Sequence, residues 1–196
     1  MCSHSIFWKH LLQTRIEAMG LQLIICVESD AQSKSDFMYI RSLLNAHYII
    51  DPSSIKLSPI YMGGRGNYAS KKTKTRIADY TKKYNGAARD NRTVVIYCFD
   101  CDNYDKQIED KDFLEAAKQF CDDHGYSFIW FCRDIEDVFW NKHVPEHQKK
   151  VEAARFATGK HVRSIKLENL RKKTYRNQCS NICLVLDGML ENKKGT

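Results

Sequence analysis

The sequence predicts an α/β sandwich with a mainly parallel central sheet of about four strands. Short apolar segments alternate along the chain with segments whose apolar residues recur at helical spacing, which is the pattern of a sheet covered by crossover helices. With 43% hydrophobic residues, 28% charged residues and only 3 Pro, the composition is that of a folded protein. The predicted strands span residues 21–29, 54–62, 93–100 and 126–132.

Each predicted element follows from its local pattern. The first strand, LQLIICVES, is apolar on both faces, as expected for a strand buried between helix layers. Helical spacing of apolar residues predicts a helix over residues 33–47, and after the second strand GGRGNYASKK reads as a Gly-rich loop that opens a basic helix. A further helix over residues 110–125 ends at Gly125. The segment SNICLVLDGML predicts a last amphipathic helix whose apolar side returns to the core.

The length predicts one folded core with two extensions. The core comprises residues 21–142, preceded by an N-terminal extension of residues 1–20, with Met19 as an alternative start. Residues 143–196 form a basic, helical C-terminal extension that packs on the core. No apolar run approaches the roughly 20 residues of a membrane span, and the first 20 residues lack the apolar centre of a secretory signal. We therefore expect a cytoplasmic protein that is not bound to a membrane.

The eight cysteines favour a reduced protein. Free thiols inside apolar segments behave as small hydrophobic side chains. Two closely spaced pairs, Cys98 with Cys101 and Cys179 with Cys183, have spacings that zinc sites use, but the first spans a strand end and the second lies in a segment predicted as helical. Zinc is therefore the less favoured interpretation. The cysteines within apolar segments are Cys26, Cys98, Cys121 and Cys132.

Acidic residues end the predicted strands. Ligands of parallel sheets bind outside the carboxyl ends of the strands, where Glu28 follows the first strand and Asp100 and Asp102 end the third. Side chains at i and i+2 of an extended backbone point the same way, so the two aspartates can share one cation. Hard oxygen ligands of this kind suit Mg²⁺ or Mn²⁺.

Acids also follow the fourth strand. The first turn of a helix favours acidic residues because of the helix dipole, so capping of a helix and a role at the site both remain open for them. These residues are Asp134, Glu136 and Asp137.

The stretches LIICVES and VVIYCFDCDN together resemble the Toprim domain, in which one strand ends in Glu and a later strand ends in Asp-x-Asp. Within that superfamily, WFCRDIEDVFW and SNICLVLDGML resemble the acid-bearing and closing helices of the RloB-like and OLD-nuclease branch. The resemblance covers roughly residues 21–190. It implies a Toprim-type, Rossmann-like three-layer sandwich.

The resemblance also implies a function, which is Mg²⁺- or Mn²⁺-dependent hydrolysis of phosphodiester bonds in DNA or RNA, in antiviral (phage) defence. In that family the residues matching Asp100 and Asp102 hold the metal, and the one matching Glu28 is a ligand or general acid/base. Glu136 is the candidate for completing a second metal position. Proteins of this branch work beside a separately encoded ATPase, and this sequence contains no ATPase motif of its own.

Basic segments flank the acidic centre, as a nuclease requires. Residues 142–176 contain 11 Lys or Arg against 3 acidic residues, and a second basic cluster precedes the third strand. A solvated helix face is the alternative interpretation of either cluster alone. The Gly-rich loop lacks the spacing of a nucleotide P-loop, so ATP binding is not predicted. The predicted nucleic-acid contacts are Arg65, Lys71, Lys72, Lys74 and Arg76.

Two other functions fit parts of the sequence. A phosphatase of the haloacid dehalogenase type uses the first Asp of Asp-x-Asp as a nucleophile, although that family places the motif on its first strand. A non-catalytic Toprim module would bind nucleic acid without Mg²⁺ and would keep binding after loss of the carboxylates. The choice between DNA and RNA, the number of metal ions and the oligomeric state stay open.

Overall fold

A computed structural model describes residues 20–159 and 161–193. The predicted extension over residues 1–20 lies outside this range except for Gly20. Among the described residues the protein forms a five-stranded sheet in the order β2-β1-β3-β4-β5, in which the first four strands are parallel and β5 is antiparallel to β4. The strands are β1 (Leu21–Val27), β2 (Ile55–Tyr61), β3 (Arg92–Asp100), β4 (Ser127–Cys132) and β5 (Cys179–Ser180).

Helices cover both faces of the sheet, as the predicted α/β class requires. Apolar residues of α1, α4, α5 and α6 share one buried cluster with one face of the sheet, and those of α2 and α3 share a second cluster with the other face. In the part of the chain that the structure describes, no helix is long and apolar enough to cross a bilayer. The helices are α1 (Ser35–His47), α2 (Lys71–Asn85), α3 (Ile108–His124), α4 (Ile135–Trp140), α5 (Lys149–Thr158) and α6 (Ile182–Asp187).

Strand β1 is buried along its whole length between the two helix layers. Its side chains alternate between the two clusters, because successive residues of a strand point to opposite faces. Gln22 is the polar exception to the expected apolar strand. Its side-chain amide donates to Ser58 Oγ at 2.8 Å on β2, and its carbonyl oxygen accepts from Thr93 Oγ1 at 3.1 Å on β3. Both neighbours of β1 therefore satisfy this buried amide.

The fifth strand corrects the expected count of about four. Cys179 pairs with Cys132 and Ser180 with Phe131, and Ser180 Oγ donates to Trp130 O at 2.6 Å. Two residues are too few to show the alternation by which a strand is recognised. Cys179 thus lies in a strand and not in a helix, which begins only at Ile182. All seven cysteines among the described residues are free and buried.

A buried tyrosine fastens the C-terminal segment to α1. Tyr48, just after α1, donates its hydroxyl hydrogen to Asp187 Oδ1 at 2.8 Å, and Arg171 Nε donates to Asp187 Oδ2 at 2.9 Å. Phe156, Leu170 and other apolar residues beyond residue 142 belong to the same buried cluster as β1 and α1. The residues after α4 therefore complete the core.

The strand order places a crevice beside the first strand. The chain passes from β1 through α1 to β2 on one side, and then returns through α2 to β3 on the other side of β1. The loops at the carboxyl ends of β1 and β3 consequently diverge towards opposite faces of the sheet. Such a switch point is where open α/β sheets bind their ligands.

We expect Asp187→Asn to destabilise the protein by about 1–3 kcal/mol at pH 7, since a charged acceptor of several hydrogen bonds is lost. Partial burial raises the pKa of Asp187, but hydrogen bonds from Arg171, Tyr48 and Asn192 outweigh it and hold the pKa below the ordinary 3.8. A lowered pKa contributes stability above 3.8 that is lost as the pH falls through the folded value. Urea unfolding from neutral to acid pH should therefore show the mutant deficit narrowing below about pH 4.

The control for this prediction is Asp122→Asn, which removes an ion pair with Lys118 whose side chains are about half exposed. Exposed pairs contribute little, so its free energy of unfolding should stay within about 0.5 kcal/mol of wild type. Equal effects of the two substitutions would show that Asp187 does not fasten the C-terminal segment.

Candidate active site

Glu28 and Asp100 meet at the switch point between β1 and β3. Glu28 directly follows β1, and Asp100 is the last residue of β3. The two strands are adjacent and parallel, and the Asp100 N–H donates to Glu28 Oε1 at 2.9 Å. The strand that precedes Glu28 is therefore a neighbour of the strand that ends in Asp100, an arrangement that the sequence left open. The pairing of β1 with β3 brings together two carboxylates that are 72 positions apart.

Helix α4 is tied to the end of β3 by the same aspartate. The Ile135 N–H, at the start of α4, donates to Asp100 Oδ1 at 3.0 Å. Asp134 caps this helix, since its Oδ1 accepts from the Asp137 N–H at 2.7 Å. Of the two interpretations left open for Asp134, helix capping is what the structure shows. Asp137 is a partly exposed residue of the first turn.

Glu136 points into the protein from the first turn of α4. Only 1% of the residue is exposed, and neither carboxylate oxygen accepts a hydrogen bond from the described residues. Lys149 Nζ, at the start of α5, lies 3.4 Å from Glu136 Oε2, and it also lies within 4 Å of Asp134 and Glu146. A buried carboxylate therefore faces one ammonium group but retains unused acceptor capacity.

Burial and like charges raise the carboxyl pKa values at this site. Burial raises the pKa of Glu28 to about 8, against the hydrogen bond from the Asp100 N–H, which lowers it. Burial and then the negative charge of Glu28 hold the pKa of Asp100 well above its ordinary value. Burial raises the pKa of Glu136 to about 7, even though Lys149 lowers it. Each of these acids therefore holds its proton more tightly than a free carboxyl group does unless a cation compensates its charge.

Asp102 does not lie beside Asp100 as an extended backbone would place it. The strand ends at Asp100, and Asp102 has a φ of 44°, in the left-handed region. Its N–H donates to Arg133 O at 2.8 Å, and its Oδ2 accepts from Arg65. The expected i, i+2 alignment of the two aspartates is therefore wrong, because the backbone turns between them. Cys101, between them, is buried in the core.

Arg65 bridges two aspartates across the site. Its Nη1 donates to Asp102 Oδ2 and its Nη2 to Asp110 Oδ1, both at 2.6 Å. The guanidinium also lies 4.7 Å from the centre of the Phe113 ring. Asp110, buried in the first turn of α3, accepts a second hydrogen bond from the Asn103 N–H at 3.1 Å. The residue predicted to contact nucleic acid thus holds the loop after β3 to α3, with a third of its side chain exposed.

A cavity of about 400 Å³ opens beside Glu28 and Asp100. Lys149 and Lys150 form its basic wall, and Gly63 and Gly64 approach from the loop after β2. The Gly64 N–H donates to the carbonyl oxygen of Glu28 at 2.8 Å. The two glycines have φ values of 71° and 119°, which side chains other than glycine rarely adopt. The Gly-rich loop therefore lies against the backbone that carries Glu28.

The remaining predicted basic residues lie on α2. The side chains of Lys71 and Lys72 are exposed, as is that of Lys74, whose Nζ lies 5.4 Å from the centre of the Phe120 ring. Arg76 donates to Tyr61 O at 3.4 Å and packs against Tyr80. The helix begins at an N-cap, Ser70, whose side chain accepts from the Thr73 N–H.

Sequence reasoning missed three charged residues of the site. Lys149 comes from α5, 49 positions after Asp100 in the chain, and Asp110 and Asp36 come from the first turns of α3 and α1. Asp36 Oδ2 accepts from the Ser29 N–H at 2.8 Å and lines the cavity. The only available signal for Asp110 and Asp36 was an acid in a first helical turn, which capping explains equally well.

The carboxylates at the end of β1 and β3 have the chemistry of a divalent-cation site. Among the described residues, neither Glu28 nor Asp100 has a Lys or Arg nitrogen within 4.0 Å. Two adjacent carboxylates without a cationic side chain fit Mg²⁺, which prefers oxygen ligands and keeps several waters. Over residues 20–159 and 161–193, however, no three His, Cys, Asp or Glu side chains are already arranged to hold a metal ion.

A scan against models of protein families, a search of curated proteins and a search of solved structures each gave no match.

Replacing Arg65 by Gln should destabilise the protein by about 1–3 kcal/mol, because buried Asp110 loses its charged partner. This loss of stability is smaller than that expected for a fully buried ion pair, since one third of the Arg65 side chain is exposed. Arg65→Lys should give an intermediate loss because an ammonium cannot bridge two carboxylates as a planar fork does. Urea unfolding measures all three proteins.

A double-mutant cycle completes this test. Arg65→Gln combined with Asp110→Asn should cost less than the sum of the single changes, since each single change already breaks the same pair. Lys118→Gln, on the exposed face of α3, is the control and should stay within about 0.5 kcal/mol of wild type. Additive single effects would mean that Arg65 and Asp110 are not coupled.

Proposed function

We propose that this protein is a Mg²⁺- or Mn²⁺-dependent nuclease with Glu28 and Asp100 at its centre. The observation that carries the proposal is this pair of acids at the switch point of the sheet, where the Asp100 backbone N–H donates to the Glu28 carboxylate and both residues line a cavity. Two acids this close need a proton or a cation, and no Lys or Arg among the described residues lies within 4.0 Å of either. A divalent cation with oxygen ligands satisfies that need.

Glu28 and Asp100 would hold the cation, and Asp102 and Glu136 are the carboxylates that the sequence predicts to complete its surroundings. When bound, such a metal would polarise a phosphoryl oxygen and lower the pKa of a water molecule, so that a hydroxide is available to attack phosphorus. Asp102 would have to exchange its contact with Arg65, and Glu136 its contact with Lys149, to take part.

The protein's own groups supply the rest of the chemistry. Lys149 and Lys150 form the basic wall of the cavity and attract an anionic phosphodiester. Where Glu28 does not itself hold the cation, burial raises its pKa to about 8, a value at which a carboxyl group can transfer protons near neutral pH. The hydrogen bond from Asp100 to Glu28 fixes the orientation of that carboxylate.

The nucleic-acid substrate and the family are parts of the same proposal. The Glu and Asp-x-Asp motifs resemble those of Toprim domains, and basic residues surround the acidic centre. A role in antiviral defence beside a separately encoded ATPase follows from that resemblance alone. The resemblance predicts that the protein requires such an ATPase for any step driven by ATP.

One observation favours a second candidate, a non-catalytic module that binds nucleic acid. Asp102 and Glu136 are already matched by Arg65 and Lys149. In such a module these ion pairs would serve stability only. Binding would then persist in EDTA and in variants that lack the carboxylates, and no metal-dependent cleavage would accompany it.

The test is cleavage of labelled single-stranded DNA, single-stranded RNA, duplex DNA and tRNA with Mg²⁺, Mn²⁺ or EDTA. We expect cleavage that requires the metal and falls by about 10²-fold or more in Glu28→Gln and in Asp100→Asn, since each loses a group that holds the metal or moves a proton. Hydrolysis of p-nitrophenyl phosphate in parallel tests the phosphatase alternative. Asp122→Asn, an exposed acid on α3, is the control and should cut at the wild-type rate.

Thermal unfolding provides a readout that does not depend on the choice of substrate. A cation that binds the folded state raises the melting temperature, so Mn²⁺ should stabilise wild type and Asp122→Asn but not Asp100→Asn. Absence of both cleavage and metal stabilisation in the wild type would contradict the proposal and favour the binding module. Cleavage of p-nitrophenyl phosphate but not of nucleic acid would favour the phosphatase.

A further inference from the structure

Strand β2 is a free edge of the sheet with a cavity on each of its faces. Within the described chain it pairs only with β1, and its seven residues extend for about 20 Å. A cavity of about 800 Å³ lies between β2 and α1, and one of about 480 Å³ lies between β2 and α2. Both are lined by Leu57, Pro59 and Tyr61, so they form one groove around the edge, here called the β2 groove.

The β2 groove is strongly basic. Among the described residues, its lining contains cations from five parts of the fold but no Asp or Glu. None of these cations forms an ion pair within the described residues, whereas Arg65 and Lys149 at the carboxylates do. Unpaired cations along one groove create a field that attracts a polyanion. The groove cations are Lys34, Arg41, Lys56, Arg76, Lys83 and Lys150.

Aromatic and apolar side chains form the floor of this groove. Phe37 of α1 and Tyr61 of β2 are in edge-to-face contact, with ring centres 6.4 Å apart. Tyr80 of α2 lies on the other face, beside the guanidinium of Arg76. Cations that follow a backbone, combined with rings on which bases can stack, are the means by which proteins bind single-stranded nucleic acids.

The groove leads to the carboxylates. Ser33 and Lys150 line both the larger cavity of the groove and the cavity that contains Glu28 and Asp100. We propose that the β2 groove binds a single-stranded segment of DNA or RNA and directs it to these two acids. The inference that the strand is directed to the two acids rests on the proposed nuclease function. The inference that the groove binds a single strand does not.

A single strand fits the groove better than a duplex does. A duplex presents mainly phosphates and stacks its bases inside, so an apolar floor would remain unused. Lys and Pro on an edge strand also discourage edge-to-edge aggregation, which accounts for Lys56 and Pro59. It does not account for Arg41, Arg76 and Lys150, which come from three different helices.

Binding in EDTA separates the groove from catalysis. Fluorescence anisotropy with labelled single-stranded DNA, single-stranded RNA and duplex DNA, at several NaCl concentrations, should show tighter binding of a single strand than of the duplex. Lys56→Gln/Lys83→Gln should weaken single-strand binding about tenfold and lower the salt slope by about 1.4, which corresponds to two phosphate contacts. Lys111→Gln/Lys118→Gln, on α3, removes the same charge and should change neither quantity.

A further variant distinguishes stacking from charge. Tyr80→Ser should weaken single-strand binding by about fivefold or more at every salt concentration, with the slope unchanged, since a stacked base contributes roughly 1–3 kcal/mol. Equal weakening by both double-lysine variants, or duplex binding as tight as single-strand binding, would overturn the proposal. Competition by polyglutamate as strong as that by an unlabelled single strand would also overturn the proposal, because the groove would then bind any acidic polymer.

The two proposals fail separately. If the wild type never cleaves nucleic acid, and Glu28→Gln/Asp100→Asn binds single strands as tightly as the wild type does, the nuclease proposal fails and the groove proposal stands. If Lys56→Gln/Lys83→Gln changes neither metal-dependent cleavage nor single-strand binding, the groove proposal fails and the nuclease proposal stands.

Discussion

The pairing of β1 with β3 is the constraint on which the site depends. Because β2 lies on the far side of β1, the loops after β1 and β3 separate, and the crevice between them receives Glu28 and Asp100. A single hydrogen bond from Asp100 N–H to the Glu28 carboxylate joins the two ends. The same aspartate receives the first N–H of α4, so the position of Glu136 is set from the same point.

The acids around this point are balanced unequally. Arg65 holds Asp102 and Asp110, and Lys149 faces Glu136, but the central pair has no cationic side chain within ion-pair distance in the described residues. The cost appears as raised pKa values at Glu28 and Asp100, caused first by burial. The negative charge is therefore least compensated at Glu28 and Asp100, which line the cavity and are accessible to a ligand.

The four main strands could be predicted to within two residues, because each is a run of apolar residues between turn signals. The rule for parallel sheets places Glu28 and Asp100 at the same edge of the sheet, but only the strand order shows that their strands are neighbours. Local patterns could not reveal β5, which is only two residues long, or the turn at Asp102. The partnership of Arg65 with Asp110 and the approach of Lys149 depend on tertiary packing between distant segments, and no spacing in the chain records them.

The position of β5 sets the order in which the molecule can be completed during synthesis. Residues 179–180 add the last strand to the sheet, and the helix after them packs into the same core as β1. A growing chain that has released Asp100 from the ribosome still lacks α4, Lys149 and the strand that covers the edge of β4. The pairing of segments so far apart is slow compared with local helix formation. Asp100 therefore acquires its contact with the Ile135 N–H and its neighbour Lys149 only after these later segments have been synthesised.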